Sequence, residues 1–226
     1  MPEPMVLVST QGAVRTLALN RPQALNALTM ALHGELLPAG LPVSAKMRLG
    51  NRDESRMIAC AQAIADAGAD ELVVHARTRV DGYRPPAYWD RVAHIRAAVA
   101  IEVVANGEVW SADDARRCLA ESGCDALMLG RGLVSDPGLA RALRGAVAPT
   151  WDDLLTLVHL YGQLIAPRVA ARHRGGRIKQ WLNMLRKRHP QAQAAYDAVR
   201  TLRDADEILR QLPLVRAVPA AESALA

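Results

Sequence analysis

Four stretches of this chain share one shape: a short apolar run rich in β-branched residues, a polar turn that closes it, and then a helical stretch rich in Ala, Leu and Arg. They are PVSAKMRL (42–49), ELVVHAR (71–77), IEVVANG (101–107) and DALMLGR (125–131). Strands that read as continuous apolar runs are buried on both faces, and such strands alternating with helices make a parallel sheet covered by helices. The spacing predicts linking helices over 54–67, over 112–122 behind Ser111 as N-cap, and from Asp136-Pro137 through Ala142.

After Pro149 the strands stop. Three helical stretches are expected, over 151–164, 176–187 and 191–212, as a separate all-α domain. The tail from Pro213, rich in Ala and Pro, is expected to fray. The first forty residues differ again: VLVST, Gln11-Gly12 and AVRTLALN read as a β-hairpin, and Arg21-Pro22 leads into a helix over 24–37. The domain reading is therefore 1–40, 41–148, 149–214 and a tail over 215–226.

Composition narrows the function classes. Half of the 226 residues are apolar, which suits a packed core, yet no apolar run approaches the roughly 20 residues of a membrane-spanning helix. The opening MPEPMVLVSTQG lacks a basic region followed by an apolar one, so a cytoplasmic protein is expected. Cys60, Cys118 and Cys124 are odd in number and lack the C-x-x-C spacing, which argues against a disulfide framework or a zinc site and predicts buried or half-buried structural thiols. No metal is expected.

The net charge is only +5, but the excess is concentrated. Arg168, Arg172, Arg174, Arg177, Lys179, Arg186, Lys187 and Arg188 fall in one stretch with His173 and no acidic residue. A solvated helix alternates the sign of its charges. Here Gln180, Trp181 and Asn183 interleave a ring and amides with cations, which points to a polyanion such as RNA.

In closed β/α barrels the chemistry sits at the C-terminal ends of the strands. The closing residues of the four runs are Lys46 with Arg48, His75 with Arg77, Asn106-Gly107-Glu108, and Gly130-Arg131. All are rich in nitrogen, and together they predict one anion-binding rim. The final two loops combine glycine with a donor fork, the pattern that admits a phosphate between barrel strands seven and eight.

Taken in order, VSAKMRLG, ELVVHARTRVDGY, VVANGEVWSADDA, SGCDALMLGRG and RIKQWLNMLRK resemble the successive blocks of the bacterial tRNA-dihydrouridine synthases, the last pointing to the C-type subfamily. The resemblance implies an FMN-binding (β/α)8 barrel fed by NADPH, which reduces a uridine of the tRNA D-loop, at position 16 in the C-type enzymes. It also implies flavin contacts at Lys46 and His75 and phosphate or ribityl contacts at Asn106, Gly107, Glu108, Gly130 and Arg131. Arg77, Arg177, Lys179 and Trp181 are implied as tRNA contacts. The partner is then tRNA, with neither DNA nor membrane.

The resemblance covers only strands five to eight of the barrel, so the fold expected is the C-terminal half of a (β/α)8 TIM barrel followed by an all-α helical domain. The loop with the proton-donating cysteine is absent, and no catalytic residue is assigned. An open half-barrel is expected to self-associate. Residues 5–38, with VRTLALNRPQALNALTMALHGEL, resemble the opening of an enoyl-CoA hydratase/isomerase (crotonase). Three readings follow: an impaired dihydrouridine synthase, a non-catalytic tRNA-binding remnant, and a CoA-ester hydratase or isomerase.

Overall fold

Seven consecutive residues, the last six of the second run and Thr78 after it, are buried, as expected of a strand with neighbours on both edges and cover on both faces. In a computed structural model, which describes residues 6–11, 14–19 and 42–213, this run is β4 (Glu71–Thr78). It lies between β3 (Ser44–Gly50) and β5 (Glu102–Asn106), with the short β6 (Ala126–Met128) beyond. All pairs are parallel, in the order β3-β4-β5-β6. The expected α/β architecture is present with all four strands.

Helices α1 (Met57–Asp66), α2 (Trp89–Ala98) and α3 (Ala112–Ser122) link the strands. The first begins three residues later than its periodicity predicts. Asp53 bonds the Ser55 amide (3.0 Å) and hydroxyl, a local turn that competes with the first helical turn. At α3 the expected cap is in place: Ser111 Oγ accepts from the Asp114 amide (3.1 Å) and donates to its carboxylate (2.9 Å). The sequence reading did not single out α2.

The chain separates into two compact units, residues 1–108 with 116–128, and residues 109–115 with 129–226. The expected boundary at 148/149 thus falls inside the second unit. There α4 (Arg131–Ser135) and α5 (Leu139–Leu143) precede α6 (Trp151–Ile165), α7 (Ala171–Leu185), α8 (Gln191–Val199) and α9 (Ala205–Gln211). Trp181 of α7 donates to the Val134 carbonyl of α4 (2.9 Å), which ties residues 129–148 to the helices after them. The run over 125–131 is strand only to Met128 because its last residues turn into α4.

The core of this second unit includes Leu155, Val158, Ile178, Leu182, Leu185 and Ile208. The expected single helix over 191–212 is two. Asp204 caps α9 by accepting the Glu207 amide (2.9 Å), and Lys179 binds the carbonyls of Arg200 (3.2 Å) and Leu202 (2.6 Å) between the two helices. Gly175 explains how α7 approaches this break so closely, since a Cβ there would stand 2.3 Å from the Arg203 carbonyl oxygen. In the N-terminal block β1 (Val6–Gln11) and β2 (Val14–Leu19) pair antiparallel as the expected hairpin. The helix expected over 24–37 and the tail over 215–226 lie outside the described residues.

Candidate functional site

Successive side chains of a strand alternate between faces, and paired positions of parallel strands share one. The register pairs Lys46 with Val73, and Arg48 with His75 with Asn106 with Met128. One face of the sheet therefore carries Lys46, Arg48, His75, Arg77 and Asn106. The other carries Ala45, Leu49, Leu72, Val74, Ala76, Val103 and Ala105, all buried. Arg48, His75, Arg77 and Asn106 lie toward the C-terminal ends of their strands, whereas Lys46 is the third of the seven residues of β3.

A hydrogen-bonded chain crosses this face. Lys46 Nζ donates to Asn106 Oδ1 (2.7 Å), and Asn106 Nδ2 donates to the Met128 carbonyl (2.6 Å), linking three strands through one amide. Arg48 reaches the carbonyls of Thr78 (3.0 Å) and Gly82 (3.1 Å), with its guanidinium 5.4 Å from the Tyr83 ring centre. The same ring lies 6.0 Å from His75. Arg48 was expected at the anion-binding rim, with no cofactor contact assigned to it, whereas Tyr83, the second of the two, was not among the expected site residues. The aromatic closing the VDGY turn after β4 was the only sign of the second.

The loop after β5 is held at several points. Gly107 has φ +124° and Glu108 φ +57°, both in the left-handed region that only glycine adopts freely. A Cβ on Gly107 would lie 3.0 Å from His75 Cδ2, so the position needs glycine for space as well as for conformation. Trp89 Nε1 donates to the Gly107 carbonyl (2.9 Å). Glu108 is ion-paired to Arg77.

That pair corrects one expectation. Arg77 was expected to touch RNA, but its side chain is 0% exposed, with Nε bonded to the Pro86 carbonyl (3.0 Å) and Nη2 to Glu108. A guanidinium enclosed in this way is not presented to a polyanion, and its sequence neighbours gave no sign of it because an Arg two positions after a His at a strand end reads as a solvated turn. Its Nη1 is buried and has no hydrogen-bond partner among the described residues. Glu108 likewise turns its carboxylate to Arg77, although it was expected at a cofactor.

The ammonium end of Lys46 is drawn in against Asn106, and burial, followed by the nearby charge of Arg48, holds its pKa below the ordinary lysine value. Charge repulsion can be removed without touching the lysine. Arg48→Met is expected to move the midpoint of Lys46 acetylation against pH upward. A midpoint that stays in place, measured by peptide mass spectrometry, would exclude Arg48 as a cause.

Cys118 and Cys124 are buried, and burial pushes the Cys118 thiol up to about 12 and raises that of Cys124, so neither is poised as a proton donor or nucleophile near neutral pH. Cys60 departs from expectation: it is exposed, because α1 presents it to a groove along β3 with no covering element among the described residues. Among those residues no group of three or more His, Cys, Asp or Glu is placed to hold a metal, and no helix is long and apolar enough to cross a membrane.

In the second unit, Gly130 precedes α4 with open space where a Cβ would be, while Gly132 is buried, its Cβ position 2.2 Å from the Val109 carbonyl oxygen. Arg131 lies 5.2 Å and Lys187 4.9 Å from the centre of the Trp110 ring, a second ring that the sequence reading did not place. Of the expected RNA contacts, Arg177 is exposed and touches Gln180 at 3.4 Å. Lys179 and Trp181 are half-buried and bonded to main-chain carbonyls, so both build the unit before they meet anything else.

Three curated relatives illustrate what the whole chain is similar to. The tRNA-dihydrouridine(16) synthase of Ralstonia nicotianae is 52% identical over 178 residues, 76% of this chain and 55% of the relative. The proteins of the same name from Aquipseudomonas alcaligenes and Cupriavidus necator are each 44% identical, covering 94% and 92% of this chain and 68% and 66% of the relatives. The chain thus spans little more than half to about two thirds of their length. Among solved structures, a mandelate oxidase mutant with (S)-mandelic acid is 17% identical over 81% of this chain and 58% of that one, at a TM-score of 0.33, too low to carry an argument. The sequence pattern of the dihydrouridine synthase family matches residues 4–212 and so takes in most of the N-terminal block as well. With that match and these relatives, the chain belongs to the dihydrouridine synthase family.

Proposed function

We propose that this chain contributes one side of the flavin site and the tRNA-binding helices of a tRNA-dihydrouridine synthase acting on a D-loop uridine at position 16. The carrying observation is the chain of hydrogen bonds from Lys46 through Asn106 to the Met128 carbonyl, with His75 beside Asn106 in the register. The four strands then correspond to strands five to eight of a (β/α)8 barrel.

FMN fits the donor set of this face. Lys46, His75 and Asn106 offer an ammonium, an imidazole and an amide on one face of the sheet, His75 and Asn106 in register, and the buried Nη1 of Arg77 has no hydrogen-bond partner among the described residues. Such groups suit the polar edge of an isoalloxazine ring and the ribityl hydroxyls. When bound, FMN would supply hydride to the uridine after reduction by NADPH. In this reading Lys46 and His75 orient the ring, and Asn106 holds Lys46. The Arg77–Glu108 pair fixes the loop, and Gly107 lets that loop close on His75. By the resemblance Gly130 and Arg131 serve the phosphate.

The helical unit supports tRNA as the partner through its acid-free basic stretch, with Arg177 exposed on α7. The proton donor is the weak point. Two of the three thiols are buried and hard to ionise, and Cys60 lies on α1. General acid catalysis typically contributes about 10²–10⁴-fold, so this chain alone is not expected to reduce uridine. It can be purified, supplied with FMN, NADPH and undermodified tRNA, and assayed for dihydrouridine. FMN binding without turnover is the expected result, and turnover close to that of a full-length relative would refute it.

A further inference from the structure

We infer that a groove of the helical unit receives an unpaired base of the bound RNA, so that this unit reads a nucleotide as well as the phosphate backbone. The inference rests on the tRNA reading above and adds a site to it. The groove, of about 520 Å³, opens between α4, α6 and α7, a volume within the roughly 300–1,000 Å³ of small-ligand sites. Its walls are set before any ligand arrives. Trp181 is oriented by its bond to the Val134 carbonyl (2.9 Å), and Tyr161 meets the indole edge-on, with ring centres 5.1 Å apart at 78°. Ordering these side chains on binding therefore costs little.

The remaining lining is of two kinds. Val134, 43% exposed, and Pro137 continue the apolar wall. Gln180 and Arg177, both exposed, supply an amide and a guanidinium. A nucleobase is a flat apolar surface with a hydrogen-bonding edge, tethered to a phosphate. Each part has a counterpart here: rings and aliphatic groups for the face, the Gln180 amide for the edge, Arg177 for the phosphate.

Charge selects this occupant over an apolar peptide. From residue 168 to 188 the chain has cations and no acid, a match for a polyanion. Several of these cations serve the fold: Arg168 binds the Leu164 carbonyl (3.0 Å), Arg174 that of Val169 (2.7 Å), and Lys179 those of Arg200 and Leu202. Arg177 is the cation that lines the groove.

The test uses the full chain and an unmodified tRNA transcript, with affinity measured over a series of salt concentrations. Val134→Phe fills the groove without changing charge, and Gln180→Ala removes the edge contact while Trp181 keeps the packing intact. Both are expected to weaken binding, the first by roughly 5- to 150-fold, the range for loss of one stacked base. Neither should change the salt dependence. Arg177→Ala is expected to lower the slope of log affinity against log salt by about 1. If Val134→Phe fails to fold, Gln180→Ala with a transcript carrying abasic sites across its loops decides the matter. Groove variants that bind tRNA as the wild type does would overturn the inference alone, as would an apolar peptide that fills the groove without displacing tRNA. A wild-type chain that does not bind tRNA would overturn the tRNA reading, and the base site with it.

Discussion

Glu108→Ala is expected to destabilise the sheet unit by about 3–5 kcal/mol, the usual cost of leaving one member of a buried ion pair without its partner. Arg77→Met should cost much less, about 1–2 kcal/mol, within the ordinary range for a single substitution. The asymmetry follows from exposure: the Arg77 side chain is 0% exposed and that of Glu108 23%. Without Glu108 a guanidinium stays enclosed with the Pro86 carbonyl alone to meet it among the described residues, where Nη1 already lacks a partner. Without Arg77 the carboxylate can still reach water. The pair also holds a backbone in the left-handed region at Glu108, so the damage should spread to the loop that carries Asn106. The double substitution Arg77→Met with Glu108→Gln should be milder than Glu108→Ala alone. Amide hydrogen exchange along β4 and β5 would report these differences, and equal losses in the two single variants would defeat the argument from exposure.

The second large effect concerns assembly. The chain is expected to form dimers or larger species through β3, which pairs on one side only among the described residues. Edge strands usually carry charges that block pairing with another chain. Here Lys46 is engaged with Asn106 and Arg48 with two carbonyls, so neither cation guards the edge. Beside it runs a groove of about 570 Å³, lined by Met47 and Leu49 of β3 and by Met57, Cys60 and Ile64 of α1. Apolar surface of this kind next to an unpaired strand favours association. Met47→Lys would place a charge in the contact and should weaken it by at least about tenfold in dissociation constant, the equivalent of 1.4 kcal/mol. Light scattering and sedimentation would measure both. A wild-type chain that is a monodisperse monomer with cooperative unfolding would show that the edge is covered or harmless.

Much of the site was legible in the sequence because periodicity and strand ends are local properties. The apolar runs placed β3 to β6, and the residues closing them placed Lys46, His75 and Asn106 on one face, since register in a parallel sheet follows from burying the other face. Ser111 could be read as a cap because a hydroxyl before a helical stretch bonds within the next turn. The basic stretch over 168–188 was equally plain. Other features depend on residues far apart in the chain. Arg77 and Glu108 are 31 positions apart, and nothing near either shows that one is enclosed and the other turned toward it. Lys179 and Trp181 read as RNA contacts, and nothing near either in the sequence shows that the folded chain also brings the carbonyls of Leu202 and Val134 to them. The break between α8 and α9 has the same origin, because Asp204 and Lys179 outweigh a helical pattern that would otherwise run on. The sequence by itself determined the strands, the identity of the polar face and the basic helix, which follow from local propensity and the burial of apolar residues. Only the tertiary structure decided which cations are exposed to a partner and which are enclosed, because that depends on the hydrogen-bond acceptors that distant segments bring to them.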